Sequence, residues 1–297
     1  MIRSLRIPRS ASRTPLGWVA VVPAGLLVLV FLVLPALIGL FNTFTDSTPE
    51  GKAWHIVGLA NYRAVLADST LGVAFGNALL LTLIAVPVEV IIGLALAGLL
   101  RRPFPGRSTV RVLLLAPWLV SPIAAGVMWH FLYNSQVGIT GWANRLLGGN
   151  GGGSPLADPR WALLSVALVE VWRMAPLAAF LLLPGVSAVP QDDLDQATVM
   201  SSPLLTTWRV AIIPRIRALL LTVLLLLVAQ SLTTFDGILV LTGGGPGSHT
   251  MTPALYAYTL AVETHNWPMG TAVSWLLLLA VLAVGAAYIR LLRVDAA

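Results

Sequence analysis

The sequence predicts an all-α membrane protein built as a six-helix transmembrane bundle. The 297 residues are 57% hydrophobic and only 10% charged, with a mean hydropathy of +0.87. A water-soluble domain cannot cover that much apolar surface with polar side chains. The apolar residues fall into separate runs of about 20, the length that a helix needs to cross a ~30 Å hydrocarbon core. Arginines cluster at the ends of these runs.

Each predicted span is one apolar run. The first follows an arginine-rich tail, but its uncharged stretch continues to Thr45. That stretch is too long for the hydrophobic region of a signal peptide and predicts a retained anchor. We expect a tail at 1–16, a transmembrane domain at 17–291 and a second tail at 292–297. The spans are expected at 17–40, 76–100, 110–132, 161–183, 218–239 and 271–291.

The placement of positive charge predicts the orientation. Arginines occur in both tails, between spans two and three, and in segment 184–217 between spans four and five, whereas 240–270 has none. Basic residues favour the cytoplasmic side, so both termini and segment 184–217 are expected there. Loops 42–75, 133–160 and 240–270 then lie outside, and 60–68 within the first has the spacing of a short amphipathic helix. The same distribution explains the net charge of +6 without nucleic acid as a partner.

Signatures of enzymes and of nucleotide binding are absent from the sequence. Lys52 is the only lysine and is followed by Ala53, so neither it nor the glycine-rich stretch 240–252 forms a Gly-Lys-Ser/Thr phosphate loop. There is no cysteine, which excludes disulfides and thiolate metal sites. The histidines lack metal-ligand spacing. We therefore expect a protein that is not an enzyme and binds no cofactor or metal.

Segment 184–217 has the pattern of two helices separated by a break. Aspartates near its start suit a helix N-terminus, where the macrodipole stabilises negative charge. Pro203 should end that helix, and Leu204 and Trp208 offer an apolar face for a second short one. The pattern predicts a helix–break–helix element on the cytoplasmic surface.

This segment resembles the coupling loop in the permease subunits of binding-protein-dependent ABC importers. The family loop carries Glu-Ala-Ala, then Asp-Gly-Ala, then a large apolar residue and a proline. The residues at those positions here are Asp195, Gln196, Ala197, Met200, Ser201, Ser202, Trp208 and Pro214. Aspartate, glutamine and serine replace the family's glutamate, first alanine and glycine, so the match is one of spacing more than identity. The resemblance implies a coupling helix that docks on an ATPase subunit.

Two outer stretches resemble the carbohydrate branch of the same family, which contains the maltose-type permeases. Residues 57–62 read Val-Gly-Leu-Ala-Asn-Tyr and are followed by Asp68 and Asn77. Residues 241–247 read Leu-Thr-Gly-Gly-Gly-Pro-Gly, after Phe235-Asp236 and before Thr250. The resemblance covers the chain from Val57 to the last span.

The resemblance implies a permease of the type I importer kind in a bacterial cytoplasmic membrane. Its implied partners are a second permease subunit, two nucleotide-binding ATPase subunits, an extracytoplasmic solute-binding protein and membrane lipid. ATP and Mg²⁺ would be used by the ATPase partners, and the solute would be a sugar or a sugar-like compound.

Polar and aromatic residues inside the spans are the candidates for the translocation path, because an embedded charge must face protein or water. They are Glu89, Trp129, His130, Glu170, Trp172, Arg173 and Asp236. Glu170 and Arg173 lie three residues apart, so they share a helix face and can pair. The pair either locks two helices or contacts solute. The aromatic rings serve either as sugar platforms or as core and interface residues.

Two other function classes remain open from the sequence. A membrane-embedded enzyme acting on lipid-linked sugars could hold a divalent cation on Asp192, Asp193 and Asp195. That acidic cluster has no evident basic partner in the sequence. A proton-coupled secondary transporter could use Glu89 and Asp236, but such transporters are built from repeated halves, and the sequence shows no convincing repeat.

Overall fold

A computed structural model describes residues 15–47, 55–146, 153–194 and 204–294. Across these residues the chain is helical, and the only extended pairing is an isolated bridge between Thr45 and Ile56. The α-helices in chain order are α1 (Pro15–Val28), α2 (Leu34–Asn42), α3 (Ala60–Ala67), α4 (Ser69–Arg101), α5 (Arg107–Leu119), α6 (Pro122–Leu132), α7 (Ile139–Leu146), α8 (Pro159–Ala188), α9 (Leu204–Thr207), α10 (Arg217–Thr233), α11 (Asp236–Leu241), α12 (Pro253–Tyr258) and α13 (Trp267–Val294). Leu29–Val33, Trp208–Ile212 and Thr259–Glu263 form π-helical turns, and Pro155–Ala157 is a 3₁₀ turn. The amphipathic helix expected at 60–68 is confirmed as α3.

Four helical stretches are long and apolar enough to cross a membrane. They are Val22–Asn42, which combines α1 and α2, then α4, α8 and the Trp267–Arg290 part of α13. These stretches match the predicted first, second, fourth and sixth spans. None of the apolar window in Val22–Asn42 is buried within the chain, whereas 72% of the window in α8 is buried. Helix α8 is therefore the centre of the bundle.

The predicted third span, 110–132, is not one straight helix. Helices α5 and α6 meet at 91° across a break of two residues, Val120 and Ser121. Ser121 precedes Pro122, and the proline ring disfavours helical backbone at the preceding residue. The residues of the predicted third span therefore form two helices with a sharp bend between them.

The predicted fifth span, 218–239, is also interrupted. Helix α10 ends at Thr233, and α11 begins at Asp236 after two non-helical residues. The 17 residues of α10 extend about 26 Å at ~1.5 Å per residue, short of a ~30 Å core. The described residues thus contain four helical stretches that are long and apolar enough to span a membrane, or five if the bent α5–α6 pair counts as one.

Helices α4 and α8 form the main packing contact of the bundle. Small residues let their backbones approach: a Cβ at Gly93 of α4 would lie 2.8 Å from the Cβ of Ala178. Close contact between small residues is the usual source of helix association in lipid. Leu182 of α8 and Leu227 of α10 are fully buried in the same apolar cluster.

A second close approach places the short helix α11 against α6. A Cβ at Gly126 of α6 would lie 2.8 Å from the carbonyl oxygen of Gly237. Gly237 in turn lies beside α8, since a Cβ at Gly237 would lie 4.0 Å from Glu170 Oε1. The break between α10 and α11 therefore lies next to the charged residues of the bundle interior.

Candidate functional site

Glu170 and Arg173 form a buried ion pair on helix α8. Arg173 Nη2 donates to Glu170 Oε2 at 3.0 Å, and their side chains are only 10% and 8% exposed for arginine and glutamate, respectively. The predicted pairing across one helical turn is therefore confirmed. Arg173 Nε is buried and has no hydrogen-bond partner among the described residues.

The second oxygen of Glu170 reaches the break in the fifth predicted span. Thr234 Oγ1 donates to Glu170 Oε1 at 3.1 Å, and Thr252 Oγ1 donates to the carbonyl oxygen of Thr234 at 3.0 Å. The carboxylate thus joins α8 to the α10–α11 junction. Sequence reasoning missed Thr234, because a threonine 64 residues away carries no periodic signal that links it to Glu170.

Glu89 of α4 adds a third charged residue to this interior. It is 2% exposed and lies near enough to Glu170 and Arg173 for electrostatic interaction with both. No hydrogen bond joins its carboxyl group to another described residue. A second buried carboxyl group therefore lies near the Glu170–Arg173 pair without forming a hydrogen bond to it, in a setting where an unpaired carboxylate is strongly disfavoured.

The structure brings two of the predicted aromatic residues together beside this pair. The rings of Trp129 and Trp172 lie 5.6 Å apart in an edge-to-face arrangement, and Tyr133 lies 5.4 Å from Trp129. Trp129 Nε1 is buried and donates to no described residue. The cluster thus joins α6 to α8 through aromatic rings at Trp172, the neighbour of Arg173 in the sequence.

His130 and Asp236 lie outside the core of this cluster. His130 is exposed, and its Nδ1 is 2.8 Å from the carbonyl oxygen of Leu241. Asp236 is half-buried in the first turn of α11 and forms no ion pair with another described residue. The sequence placed both in the path, whereas the structure gives His130 a contact to α11 instead of to Glu170.

The glycine-rich loop after α11 is held by polar contacts with helix α4. Asn77 Nδ2 donates to the carbonyl oxygens of Ser248 and Met251 at 2.8 and 3.0 Å. Within the loop, the hydroxyl oxygens of Thr242 and Thr250 lie 2.7 Å apart. Asn77 and Thr250, quoted above for the carbohydrate resemblance, are therefore structural neighbours.

The N-terminus of α4 is fixed to α12 by a carboxylate. Asp68 caps α4 by accepting the backbone N–H of Thr70 at 2.8 Å, and its other oxygen accepts the hydroxyl of Tyr256. The Tyr256 hydrogen bond, followed by the bond from Thr70, lowers the pKa of Asp68 below its ordinary value of 3.8. Burial and the same bond to Asp68 raise the pKa of Tyr256.

The segment between α8 and α10 is described only in part. Asp195, Gln196, Ala197, Met200, Ser201 and Ser202 lie outside the described residues. The helix expected after Pro203 is present as α9 and the π-helical turn Trp208–Ile212. Trp208 lies against α4, since a Cβ at Gly98 would be 2.5 Å from its Cζ2. Pro214 is exposed in the turn before α10.

Two contacts hold the described parts of this segment: one to the end of α4, and one between the two sides of the segment. Arg101 Nη2, at the end of α4, donates to the carbonyl oxygen of Val189 at 2.8 Å. Arg215 forms an ion pair with Asp193. The acidic cluster was expected to lack a basic partner, and that expectation was wrong. An aspartate neutralised by arginine is a poor ligand for a divalent cation, and no group of three metal-binding side chains occurs in the described part of the chain.

Comparison with known proteins decides the family. The chain is 31% identical over 285 residues to the trehalose/maltose transport system permease protein MalF of Thermococcus litoralis, and the match covers 94% of both chains. The chain belongs to the sugar ABC transporter permeases. This family assignment confirms the resemblance seen in the sequence. A scan of protein-family models gives no match.

Another ABC transporter permease and a solved structure agree with the family assignment. A probable ABC transporter permease, y4oQ of Sinorhizobium fredii, is 30% identical over 275 residues, covering 91% of this chain and 88% of the relative. The fold matches that of a bacterial alginate ABC transporter in complex with a periplasmic protein bound to alginate pentasaccharide. That match has a TM-score of 0.77 at 16% identity and covers 92% of each chain. As a sugar ABC transporter permease, the protein is a multi-pass transport component.

Proposed function

We propose that the protein is one permease subunit of an ATP-driven importer for a sugar or sugar-like solute. The observation that supports this most strongly is the full-length match to a trehalose/maltose permease. In the proposed complex, a second permease subunit completes the path, two ATPase subunits drive it, and an extracytoplasmic binding protein delivers the solute. The structural relative crystallised with a periplasmic protein supports the last of these partners.

The proposed topology has six crossing segments and both termini in the cytoplasm. The bent α5–α6 pair and the broken α10–α11 pair are the third and fifth crossings, and segment 184–217 faces the cytoplasm. The distribution of arginines supports this orientation. The interruptions suit a transporter, since non-helical backbone at membrane depth is tolerated where it lines a cavity or is buried in protein.

The proposed path passes the Trp129–Trp172 ring pair. Aromatic faces pack well against the apolar faces of sugar rings. Trp129 Nε1 is buried without a described partner and is a donor for a sugar hydroxyl only in a state of the transporter that exposes it. The Glu170–Arg173 pair lies in the same turn of α8 as Trp172 and positions the junction at Thr234. We assign the pair a positioning role, because both charges already have partners.

The proposed coupling element is the segment that includes Asp195, Ser201 and Trp208. When two ATPase subunits close on ATP, movement of this segment favours the outward-facing arrangement over the inward-facing one. ATP acts only through contacts that differ between the two states. The chain itself takes no part in hydrolysis, since Lys52 is its only lysine and lies in no phosphate-binding motif.

Solute uptake tests this proposal. Cells carrying the complete operon would be assayed with labelled trehalose, maltose and glycerol 3-phosphate, and the transported solute would be used for variants. Asp195→Arg should abolish uptake while the protein stays inserted in the membrane. Asp192→Arg, the same charge reversal three residues earlier at an exposed position, is the matched control and should retain most uptake. Normal transport by Asp195→Arg would contradict the coupling assignment.

A further inference from the structure

A groove of about 690 Å³ runs along one face of α4 at the end of the helix that meets the coupling segment. One wall consists of residues of α4 and its C-cap that recur at helical spacing: Ile91, Leu94, Ala95, Gly98, Leu99 and Arg102. This spacing places them on a single helical face. The other wall consists of Trp208, Arg209 and Ile213. We call this feature the α4 groove.

The α4 groove is apolar along the depth of one membrane leaflet. From Ile91 to Arg102 is about 16 Å along a helix at ~1.5 Å per residue, close to half of a ~30 Å hydrocarbon core. Ile91 and Leu99 are 65% and 52% exposed, so no described part of the chain covers them. The groove thus has the length of a phospholipid acyl chain.

Positive charge is concentrated at the Arg102 end of the groove. Arg102 follows the last residue of α4, and Arg209 lies next to Trp208, which contacts α4 one turn before Arg102. Both arginines are exposed, and neither forms a hydrogen bond or an ion pair with a described residue. The carboxylate of Asp193, in the coupling segment, pairs with a different arginine, Arg215.

We infer that the α4 groove binds an anionic phospholipid of the cytoplasmic leaflet. The acyl chain lies along Ile91, Ala95 and Leu99, and the phosphate of the headgroup lies between Arg102 and Arg209. Charge complementarity identifies this occupant: a neutral protein segment would leave both guanidinium groups without a partner, whereas an anionic lipid satisfies the apolar and the charged parts together. The leaflet assignment rests on the orientation given under the proposed function.

The lipid bound by this site would contact the coupling segment directly. Trp208 lines the groove and also contacts Gly98 of α4. Amphipathic tryptophan rings favour the headgroup level of a membrane. Removal of the lipid would therefore loosen the attachment of Trp208 to α4. The inference assigns a lipid requirement to the same segment that is proposed to receive the ATPase.

Native mass spectrometry of the full-length protein, purified with whatever subunits accompany it, tests the inference. The probes are phosphatidylglycerol and phosphatidylcholine, added in equal amounts in mild detergent. The wild-type protein should retain phosphatidylglycerol selectively. Arg102→Gln/Arg209→Gln should lower its retention roughly tenfold or more, since two basic contacts at the surface are lost. Ala95→Phe, which narrows the groove and keeps both arginines, should also lower it.

A matched control separates this site from general charge. Arg63→Gln/Arg160→Gln removes two exposed arginines at the other end of the bundle and should leave lipid retention unchanged. Equal retention by the Arg102→Gln/Arg209→Gln variant would overturn the inference, as would unchanged retention by Ala95→Phe. Displacement of the lipid by inorganic phosphate alone would show a free-anion site instead.

Loss of a protein subunit from Arg102→Gln/Arg209→Gln, with lipid retention unchanged, would show that the groove is a protein interface and would also overturn the inference. The proposed function fails separately: a protein purified without any ATPase that still retains phosphatidylglycerol selectively would contradict the importer assignment and leave the lipid site standing. A complete importer that retains no phosphatidylglycerol selectively would support the importer assignment and overturn the lipid site.

Discussion

The indole ring of Trp208 fills the space that a side chain at Gly98 would occupy. A Cβ at this position would lie 2.5 Å from Cζ2 and 3.0 Å from Cη2 of the tryptophan. The glycine therefore allows Trp208 to pack directly against α4.

Gly98→Ala should displace Trp208 and destabilise the protein. Overpacking of this kind costs roughly 1–3 kcal/mol. Gly76→Ala, in the same helix, is the matched control, since a Cβ there meets nothing within 4 Å. Thermal unfolding in detergent should give a lower midpoint for Gly98→Ala than for Gly76→Ala, and Trp208→Leu in the Gly98→Ala background should restore it. Equal midpoints for the two alanine variants would show that the contact is loose.

Removal of one partner from the buried ion pair should lower the free energy of unfolding far more than replacement of both partners. Glu170→Ala leaves Arg173 buried without its carboxylate and should lower the free energy of unfolding by about 3–5 kcal/mol. Glu170→Met/Arg173→Met should recover most of that loss, because similar-sized apolar residues replace the pair. Denaturant unfolding measures both values. A double variant as unstable as Glu170→Ala would contradict the pairing as the source of the effect.

Transport by the double variant tests whether the pair takes part in the transport mechanism. If the pair positions the junction at Thr234, the double variant should take up solute more slowly. The affinity of the separate solute-binding protein for the solute should stay unchanged. Full uptake by a stable Glu170→Met/Arg173→Met protein would remove both residues from the transport mechanism.

Tyr256→Phe should reduce stability in a pH-dependent way. The hydrogen bond to Tyr256 lowers the pKa of Asp68, so its contribution is present above the unfolded pKa near 3.8 and is lost as the pH falls through the lower folded pKa. At pH 7 the variant should be less stable by about 1 kcal/mol. The difference between variant and wild type should shrink below pH 4, roughly the ordinary pKa of the carboxyl group. A difference that stays constant from pH 7 to pH 3 would contradict the assigned hydrogen bond.

The ion pair between Arg215 and Asp193 should matter more for coupling than for stability. Its side chains are 46% and 23% exposed, and exposed pairs contribute about 0–1 kcal/mol. Asp193→Arg should therefore leave the unfolding midpoint within a few degrees of wild type while lowering uptake, since it frees one end of the coupling segment. Asp193→Arg/Arg215→Asp should restore uptake. If Asp193→Arg/Arg215→Asp does not restore uptake, the effect of Asp193→Arg comes from a contact other than the one with Arg215.

The sequence predicted the continuous spans well, because length and hydropathy alone determine them. Proline did not reveal which spans are broken. Pro87 and Pro176 lie inside the continuous helices α4 and α8, whereas Ser121-Pro122 marks a 91° bend. Neighbouring helices can satisfy the backbone groups that a membrane proline leaves free, so the outcome depends on packing that the local sequence does not contain.

Local pairs in the site were predictable and distant ones were not. Glu170 and Arg173 follow from their spacing on one helix. Tyr256 and Asp68 are 188 residues apart, and only the folded chain brings them together. The ion pair between Arg215 and Asp193 shows the same limit, since the two residues are 22 positions apart in the sequence.

The most direct test of the importer assignment is to purify the tagged protein from its native membrane in mild detergent and identify the accompanying proteins by mass spectrometry. The assignment predicts a second permease, an ATPase and a lipid-anchored binding protein. Recovery of the protein alone, or as a homodimer without an ATPase, would contradict it.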